Sequence, residues 1–226
     1  MIITIGAIKG GCGKSLISTN LTVLRSQAGK KVLLVDGDEQ GTAGDWSDHR
    51  IGLGIHTPWT SIRLRANAVR TEILKLKENY DDIIIDCGGR DTSSLRAALT
   101  VSDIFVVPFQ PKSFDIWTAT KVAELIQEVS VLNPKLKTYA FINCAIARGT
   151  DNDDAKKILS QIEGLILLDQ TIGMRKSFSN ATAEGLGVSE LKTDKKAVDE
   201  IKALCRAIFE GQQLTIMTSH VHQIQL

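Results

Sequence analysis

No stretch of about 18 apolar residues occurs in the chain, which excludes a transmembrane helix on length alone. Cysteine is scarce. Cys12, Cys87, Cys144 and Cys205 lie far apart and form no CxxC pair. Neither a disulfide framework nor a zinc site is expected from them, and a reducing cytoplasm suits them. Charge of one sign is also lacking: 27 Lys and Arg against 26 Asp and Glu leave a net charge of +1. No global field therefore draws the chain to nucleic acid, and any such contact must come from a local patch. The chain opens on an apolar run rather than a signal peptide. His49, His56, His220 and His222 make no metal set, and Asp151-Asn152-Asp153-Asp154 lacks the glycine and closing glutamate of a calcium loop. No Gly-x-Ser-x-Gly elbow is present, which excludes that class of hydrolase.

What is present fits one ordinary domain. The 226 residues are 43% apolar and 23% charged, enough to bury a substantial core and typical of a globular protein. The pattern alternates strand-like and helix-like segments. Ile2–Ile5, Lys31–Asp36, Asp82–Asp86, Ile104–Val107 (stopped by Pro108), Lys137–Asn143 and Leu165–Leu168 read as strands. KVLLVD and DIIID are continuous apolar runs, as in parallel strands buried on both faces. Ile55–Trp59 reads as one more short strand. Leu16–Ala28, Ser61–Glu78, Thr92–Thr100, Phe114–Leu132, Asp151–Ile162, Arg175–Glu184 and Asp194–Phe209 read as helices. Val122, Leu125, Ile126, Val129 and Leu132 recur at helical spacing in the best-patterned of these. Gly41–Gly54 reads as a polar loop anchored by Trp46. The expected fold is α/β: a mostly parallel twisted sheet with helices on both faces. One domain is expected over residues 1–211. Beyond it, residues 212–226 form a tail that is either disordered or a short helix with Leu214, Met217, Val221 and Ile224 on one stripe.

The chemistry centres on Ile8-Lys9-Gly10-Gly11-Cys12-Gly13-Lys14-Ser15, between the first strand and the first helix. The glycines let the backbone curl so that several N–H groups, including that of Cys12, point at one anion. The helix beginning at Leu16 adds its positive end. Lys14 would reach terminal phosphates and Ser15 would place a hydroxyl on Mg²⁺. Asp36 and Asp86 each end a buried strand, and by pattern both are equally placed to serve that metal.

The segment resembles the deviant Walker A motif of the ParA/MinD ATPases, where a lysine ahead of the glycines is a signature. Here that lysine is Lys9, and Ile8 stands where the plain motif has glycine. DGDEQ resembles the family's DxDPQ segment with Glu39 in place of proline, and DIIIDCGG resembles its Walker B and switch II region. The resemblance implies a P-loop NTPase of the deviant Walker A (SIMIBI) type, using ATP and Mg²⁺ as a slow ATPase. It implies that Gly10 to Leu16 cradle phosphate and that Lys9 crosses a nucleotide-sandwich homodimer. It further implies that Asp38 places the attacking water. Asn143, and Pro108 within VVPFQP, would stand on the adenine side. The chain looks like the small ParA type, similar to ParF, with no N-terminal helix-turn-helix domain. The implied partners are a second copy, non-specific DNA and a ParB-like or other small adaptor, with the ATP-bound form on the nucleoid. The tail has no Lys or Arg, which argues against the basic membrane anchor of MinD. Arg63, Arg65 and Arg70, or Lys192, Lys195, Lys196, Lys202 and Arg206, are the candidate DNA faces. Three other readings stay open: a metabolic P-loop enzyme, a positioner of a protein cargo such as a microcompartment, and a nucleotide-dependent scaffold with negligible turnover.

Overall fold

The computed structural model describes residues 1–89, 92–111 and 113–221, the side chains of 113–118 and 212–221 excepted. Seven strands form one sheet: β1 (Ile2–Ile5), β2 (Val32–Asp36), β3 (Thr60–Arg63), β4 (Asp82–Asp86), β5 (Ile104–Phe109), β6 (Lys137–Ala145) and β7 (Leu165–Gly173). Their order is β3-β2-β4-β1-β5-β6-β7 and every pairing is parallel. Among the described residues eight α-helices accompany them, six between strands and two after β7: α1 (Lys14–Gln27), α2 (Thr42–Gly52), α3 (Asn67–Leu76), α4 (Ser93–Leu99), α5 (Ser113–Leu132), α6 (Asp151–Leu159), α7 (Lys176–Ala183) and α8 (Lys195–Val221).

The unbroken apolar runs have a direct cause. Successive strand residues face opposite sides, and both sides carry a core. Ile83 and Ile85 of β4, with Leu33 and Val35 of β2, pack with Val69, Ile73, Leu95, Val122 and Leu159. Ile84 and Leu34 pack on the other face with Ile17, Leu21, Trp46, Phe178, Ile201 and Leu204. Thus α3 to α6 cover one face, and α1, α2, α7 and α8 cover the other. The chain reverses direction across the sheet at β1, which lies between β4 and β5. In such sheets the crevice at the carboxyl ends of the strands is where ligands bind.

Several segments differ from the sequence expectation. Gly41–Gly54 is not a loop, because Thr42–Gly52 is helical. Its buried face is Ala43, Trp46, Ser47 and Arg50, two of them polar, so no apolar period announces it. The short strand is Thr60–Arg63 rather than Ile55–Trp59, and it takes the start of the segment read as helix Ser61–Glu78. Pairing with β2, Leu33 opposite Thr60 through Asp36 opposite Arg63, overrides local helix preference there. β5 continues through Pro108. The Val106 carbonyl faces β1, where it accepts from the Gly6 N–H. Pro108 lies two residues on and faces the same side, past the last β1 pair at Val106, so its missing N–H costs nothing. β7 reaches Gly173 instead of stopping at Leu168, since an edge strand tolerates the polar run Asp169-Gln170-Thr171. Leu132, expected on the apolar stripe of α5, is exposed. α8 extends beyond Phe209 to Val221. The apolar stripe expected at Leu214, Met217, Val221 and Ile224 lies outside the described side chains.

One buried cation pins α2. Arg50 is 4% exposed and donates from Nη1 and Nη2 to the two carboxylate oxygens of Glu190, at 2.7 and 2.8 Å. It also donates to the carbonyls of Gly185 (3.0 Å) and His56 (2.8 Å), and its guanidinium stands 5.0 Å from the Trp59 ring centroid. Trp59 stacks on Trp46 at 5.5 Å. Removing Arg50 would leave the Glu190 carboxylate with only the Gly187 N–H (2.8 Å) and take the guanidinium donor from two carbonyls. Arg50→Met is therefore expected to cost on the order of 3 kcal/mol of stability, measured by urea denaturation. A loss below about 0.5 kcal/mol, the range of an ordinary surface change, would show that the network contributes little.

Candidate functional site

The loop between β1 and α1 is built from peptide geometry. Gly11 and Gly13 have φ of 78° and 86°, in the left-handed region that favours glycine. At Gly13 a side chain is also excluded by space, since a Cβ would lie 2.4 Å from Nδ2 of Asn143. Asn143 is buried and donates from Nδ2 to the Cys12 carbonyl at 2.6 Å. Gln110 donates from Nε2 to the Gly11 carbonyl at 2.8 Å. A trans peptide sets its N–H opposite its C=O, so these two amides turn the N–H groups of Cys12 and Gly13 the other way. Gly13 then caps α1, whose first turn presents Lys14 and Ser15.

That side is a cavity of about 830 Å³. Gly10, Gly11, Gly13, Lys14, Ser15 and Leu16 line one wall, and Gly37 to Gln40, Arg65, Ala66, Gly88, Gly89 and Thr92 to Ser94 line the rest. Most of the residues expected to act together thus meet in one place. Gly89 seats the segment after β4 against the glycine loop: a Cβ there would fall 2.5 Å from the Gly10 Cα. Gly88 stands beside Asp38, where a Cβ would be 3.3 Å from Oδ1. Arg90 and Asp91, expected in the switch after β4, lie outside the described residues.

The two strand-ending acids, equal by pattern, part company in the structure. Asp36 is spent on backbone: Oδ1 accepts from the Asp38 N–H at 3.0 Å and Oδ2 from the Gly44 N–H at 2.7 Å. It ties the β2–α2 turn to the start of α2 and does not line the cavity. Asp86 is fully buried, with Ser18 Oγ 2.9 Å from its Oδ1, while its Oδ2 has no hydrogen-bond partner. Burial pushes its carboxyl up to about 7, against the opposing hydrogen bonds of Ser15 and Ser18. An orphaned carboxylate oxygen next to the Ser15 hydroxyl suits a hard divalent cation or a water bound to one. The residues present therefore fit Mg²⁺, with Ser15 and Asp86 as its holders. Asp36 instead acts on the turn.

Asp38 lines the cavity and its Oδ1 accepts the Gln40 N–H at 3.1 Å in an Asx turn. Lys9, Pro108 and Asn143 are not among the residues lining this cavity. Lys9 and Pro108 border a small neighbouring recess with Ile8, Cys12 and Val122. The structure gives Asn143 the place of a brace beneath the loop. Gln110 and Ser18 were missed by sequence reasoning, and Arg65 was read as part of a DNA face rather than of this cavity. Ser18 alone carried a signal, because it follows Ser15 by three residues and shares its helix face. Of the candidate DNA residues Arg63, Arg65 and Arg70, Arg63 pairs with Asp45 and Asp48 and Arg65 lines the cavity, so these three form no common free face.

The sequence profile described as "CobQ/CobB/MinD/ParA nucleotide binding domain" matches residues 3–217. The chain belongs to this family. A similar relative is the Maintenance of carboxysome distribution protein A of Halothiobacillus neapolitanus, 28% identical over 209 residues, spanning 91% of this chain and 95% of that protein. Among solved structures, a plasmid partition protein of Borrelia burgdorferi B31 bound to AMPPNP matches with a TM-score of 0.75 at 21% identity, over 93% of this chain and 98% of that one. MinD of Pyrococcus horikoshii complexed with Mg-ADP matches with a TM-score of 0.72 at 20% identity, over 94% and 97%. At such identities the structural likeness carries the fold. The family match makes the chain a nucleotide binding domain.

Asp86 also makes a thermodynamic prediction. Its carboxyl, ordinarily near 3.8, is raised to about 7 in the folded chain. An acid with a raised folded value costs stability as it ionises, so the nucleotide-free protein should lose stability as pH rises from about 4 towards 7. Asp86→Asn removes this cost. In chelator, the variant should be more stable than the parent at pH 8 by an amount on the order of 1–3 kcal/mol, with the gap closing towards pH 5. Parallel stability curves for the two proteins would refute the assignment.

Proposed function

We propose that the chain is a Mg²⁺-dependent ATPase that dimerises on ATP and positions a cargo by binding and leaving DNA. The observation that carries this reading is the division of lysines. Lys14 lines the cavity of its own chain, whereas Lys9, four residues before Gly13 on the same loop, does not. A cation beside the cradle but outside its own cavity is what action on a neighbouring subunit's phosphates requires. In this reading Lys14 holds the terminal phosphates and Lys9 neutralises charge across the dimer as it develops. Asp38 orients the attacking water. Mg²⁺, when bound through Ser15 and Asp86, supplies charge neutralisation at the phosphates. Residues 1–211 form the ATPase unit and 212–226 an appendage to it.

Support for the cargo comes from the relatives' own names, which speak of carboxysome distribution and plasmid partition. A small adaptor, ParB-like for DNA or its counterpart on a protein compartment, would stimulate turnover. The DNA face is the second basic set: Lys192, Lys195, Lys196, Lys202 and Arg206 are all exposed around the first turns of α8. Among the described residues no helix is long and apolar enough to cross a membrane. In this reading the ATP-bound dimer would sit on the nucleoid in the cytoplasm.

Two experiments test this. Light scattering with a non-hydrolysable ATP analogue should raise the mass from 24.6 kDa to about twice that. Lys9→Ala should stay monomeric while still binding nucleotide, and Asp38→Ala should accumulate as the ATP-bound dimer. An unchanged parent mass would remove the dimer switch, and normal turnover in Asp38→Ala would remove its role. For DNA, retention on arbitrary duplex should require ATP and fall steeply with salt. Exchanging Lys195, Lys196 and Lys202 for Glu should lower the slope of log affinity against log salt by roughly 3. ATP-independent retention, or none at low salt, would favour the metabolic-enzyme reading.

A further inference from the structure

We infer that Arg65 reads the terminal phosphate and gives this site its preference for a nucleoside triphosphate over a diphosphate. The inference rests on the ATPase reading above. Arg65 follows β3, a short edge strand remote in sequence from the glycine loop, yet its side chain lines the same cavity as Lys14. It stands on the wall formed by Gly37 to Gln40, Gly88, Gly89 and Thr92 to Ser94. These segments follow β2 and β4, and β4 ends in Asp86, the acid beside the Ser15 hydroxyl. The glycine loop, with Lys14 and Ser15, forms the other wall of the same cavity.

Arg65 is held in place, unlike most half-exposed arginines. Its Nη1 donates to the Asp36 carbonyl at 2.6 Å and to the Leu64 carbonyl at 2.9 Å. Its backbone is held too: the Leu64 N–H donates to the Asp36 carbonyl (3.0 Å) and the Ala66 N–H to Ser94 Oγ (2.8 Å). Ala66 itself has φ 49° and ψ −132°, a conformation costly for any residue with a Cβ. A strained residue pinned between two loops of the site fixes the direction in which its neighbour points.

The contacts do not use up the guanidinium. Five N–H donors are available, and the two on Nη1 are taken. Among the described residues, Nε and Nη2 have no protein partner, which leaves three donors at the cavity wall. Nor is Arg65 needed to satisfy what it touches. The Asp36 carbonyl already accepts from Leu64, and the Asp36 carboxylate already accepts two backbone N–H groups, with Nη1 at 3.9 Å from Oδ1. An oriented guanidinium with a free fork suits a phosphate's paired oxygens better than a lysine would. Arg65 is thus a specificity-determining residue, present only to the third phosphate.

The test compares AMPPNP and ADP binding, each with Mg²⁺, by calorimetry on the full chain. Arg65→Ala should weaken AMPPNP by roughly 10- to 100-fold, the value of a charge-assisted hydrogen bond pair, and ADP by less than about 2-fold. Arg65→Lys, which keeps the charge but loses the fork, should fall between. Arg63→Gln, a neighbouring exposed arginine paired with Asp45 and Asp48 outside the cavity, should leave the ratio unchanged. Equal weakening of both nucleotides would show a merely bracing role and overturn the inference, as would no change in either. If Arg65→Ala melts well below the parent, Arg65→Lys decides by the same ratio. If the parent binds neither nucleotide, the ATPase reading itself fails, a result distinct from a parent that binds both and a variant that does not discriminate.

Discussion

A sheet covered on both faces can keep polar groups only at its strand ends, and this constraint organises the molecule. β2 and β4 bury every residue, including the acids that end them. Desolvating a carboxylate costs several kcal/mol unless something compensates. Asp36 is compensated by two backbone N–H groups of the turn that follows it. Asp86 is compensated only in part, by the hydroxyls of Ser15 and Ser18, and its second oxygen is left over. The same physical penalty therefore yields a rigid turn at one strand end and an unpartnered carboxylate oxygen at the next.

The glycine loop is shaped from below as well as by its own dihedrals. Asn143 and Gln110, from the ends of β6 and β5, take the carbonyls of Cys12 and Gly11. The loop's anion-facing N–H groups are thereby preorganised before any ligand arrives, which spares the ordering cost at binding. On the opposite wall, Gly88 and Gly89 allow the segment after β4 to rest against Asp38 and Gly10 without a Cβ in the way. Contact between these two loops gives a phosphate between them a direct means of changing how they sit, the ordinary way in which nucleotide switches work.

Much of the fold was legible because its signals are local. KVLLVD and DIIID could not be half-buried strands, and β4 has the bounds that its composition predicts. The glycines, Lys14 and Ser15 stood out because a phosphate cradle needs contiguous residues. Illegible were features that depend on pairing across the chain. β3 owes its strand to β2, α2 owes its buried face to Arg50, Ser47 and two tryptophans, and Pro108 fits its strand only because β1 has ended. Each is a case of tertiary contact overriding local preference.

The candidate site divides in the same way. By itself the sequence determined the phosphate cradle, the candidate acids and the family resemblance, since all lie in short contiguous motifs. Only the tertiary structure decided between Asp36 and Asp86, because the difference is which oxygen a backbone N–H reaches. Only the tertiary structure brought Arg65 to the cavity and set Asn143 beneath the loop, since neither carries a local signal of where its strand end will lie. Local chemistry is written in residue order, whereas the hydrogen-bond partners that assign each group its role are supplied by strands far apart in the chain.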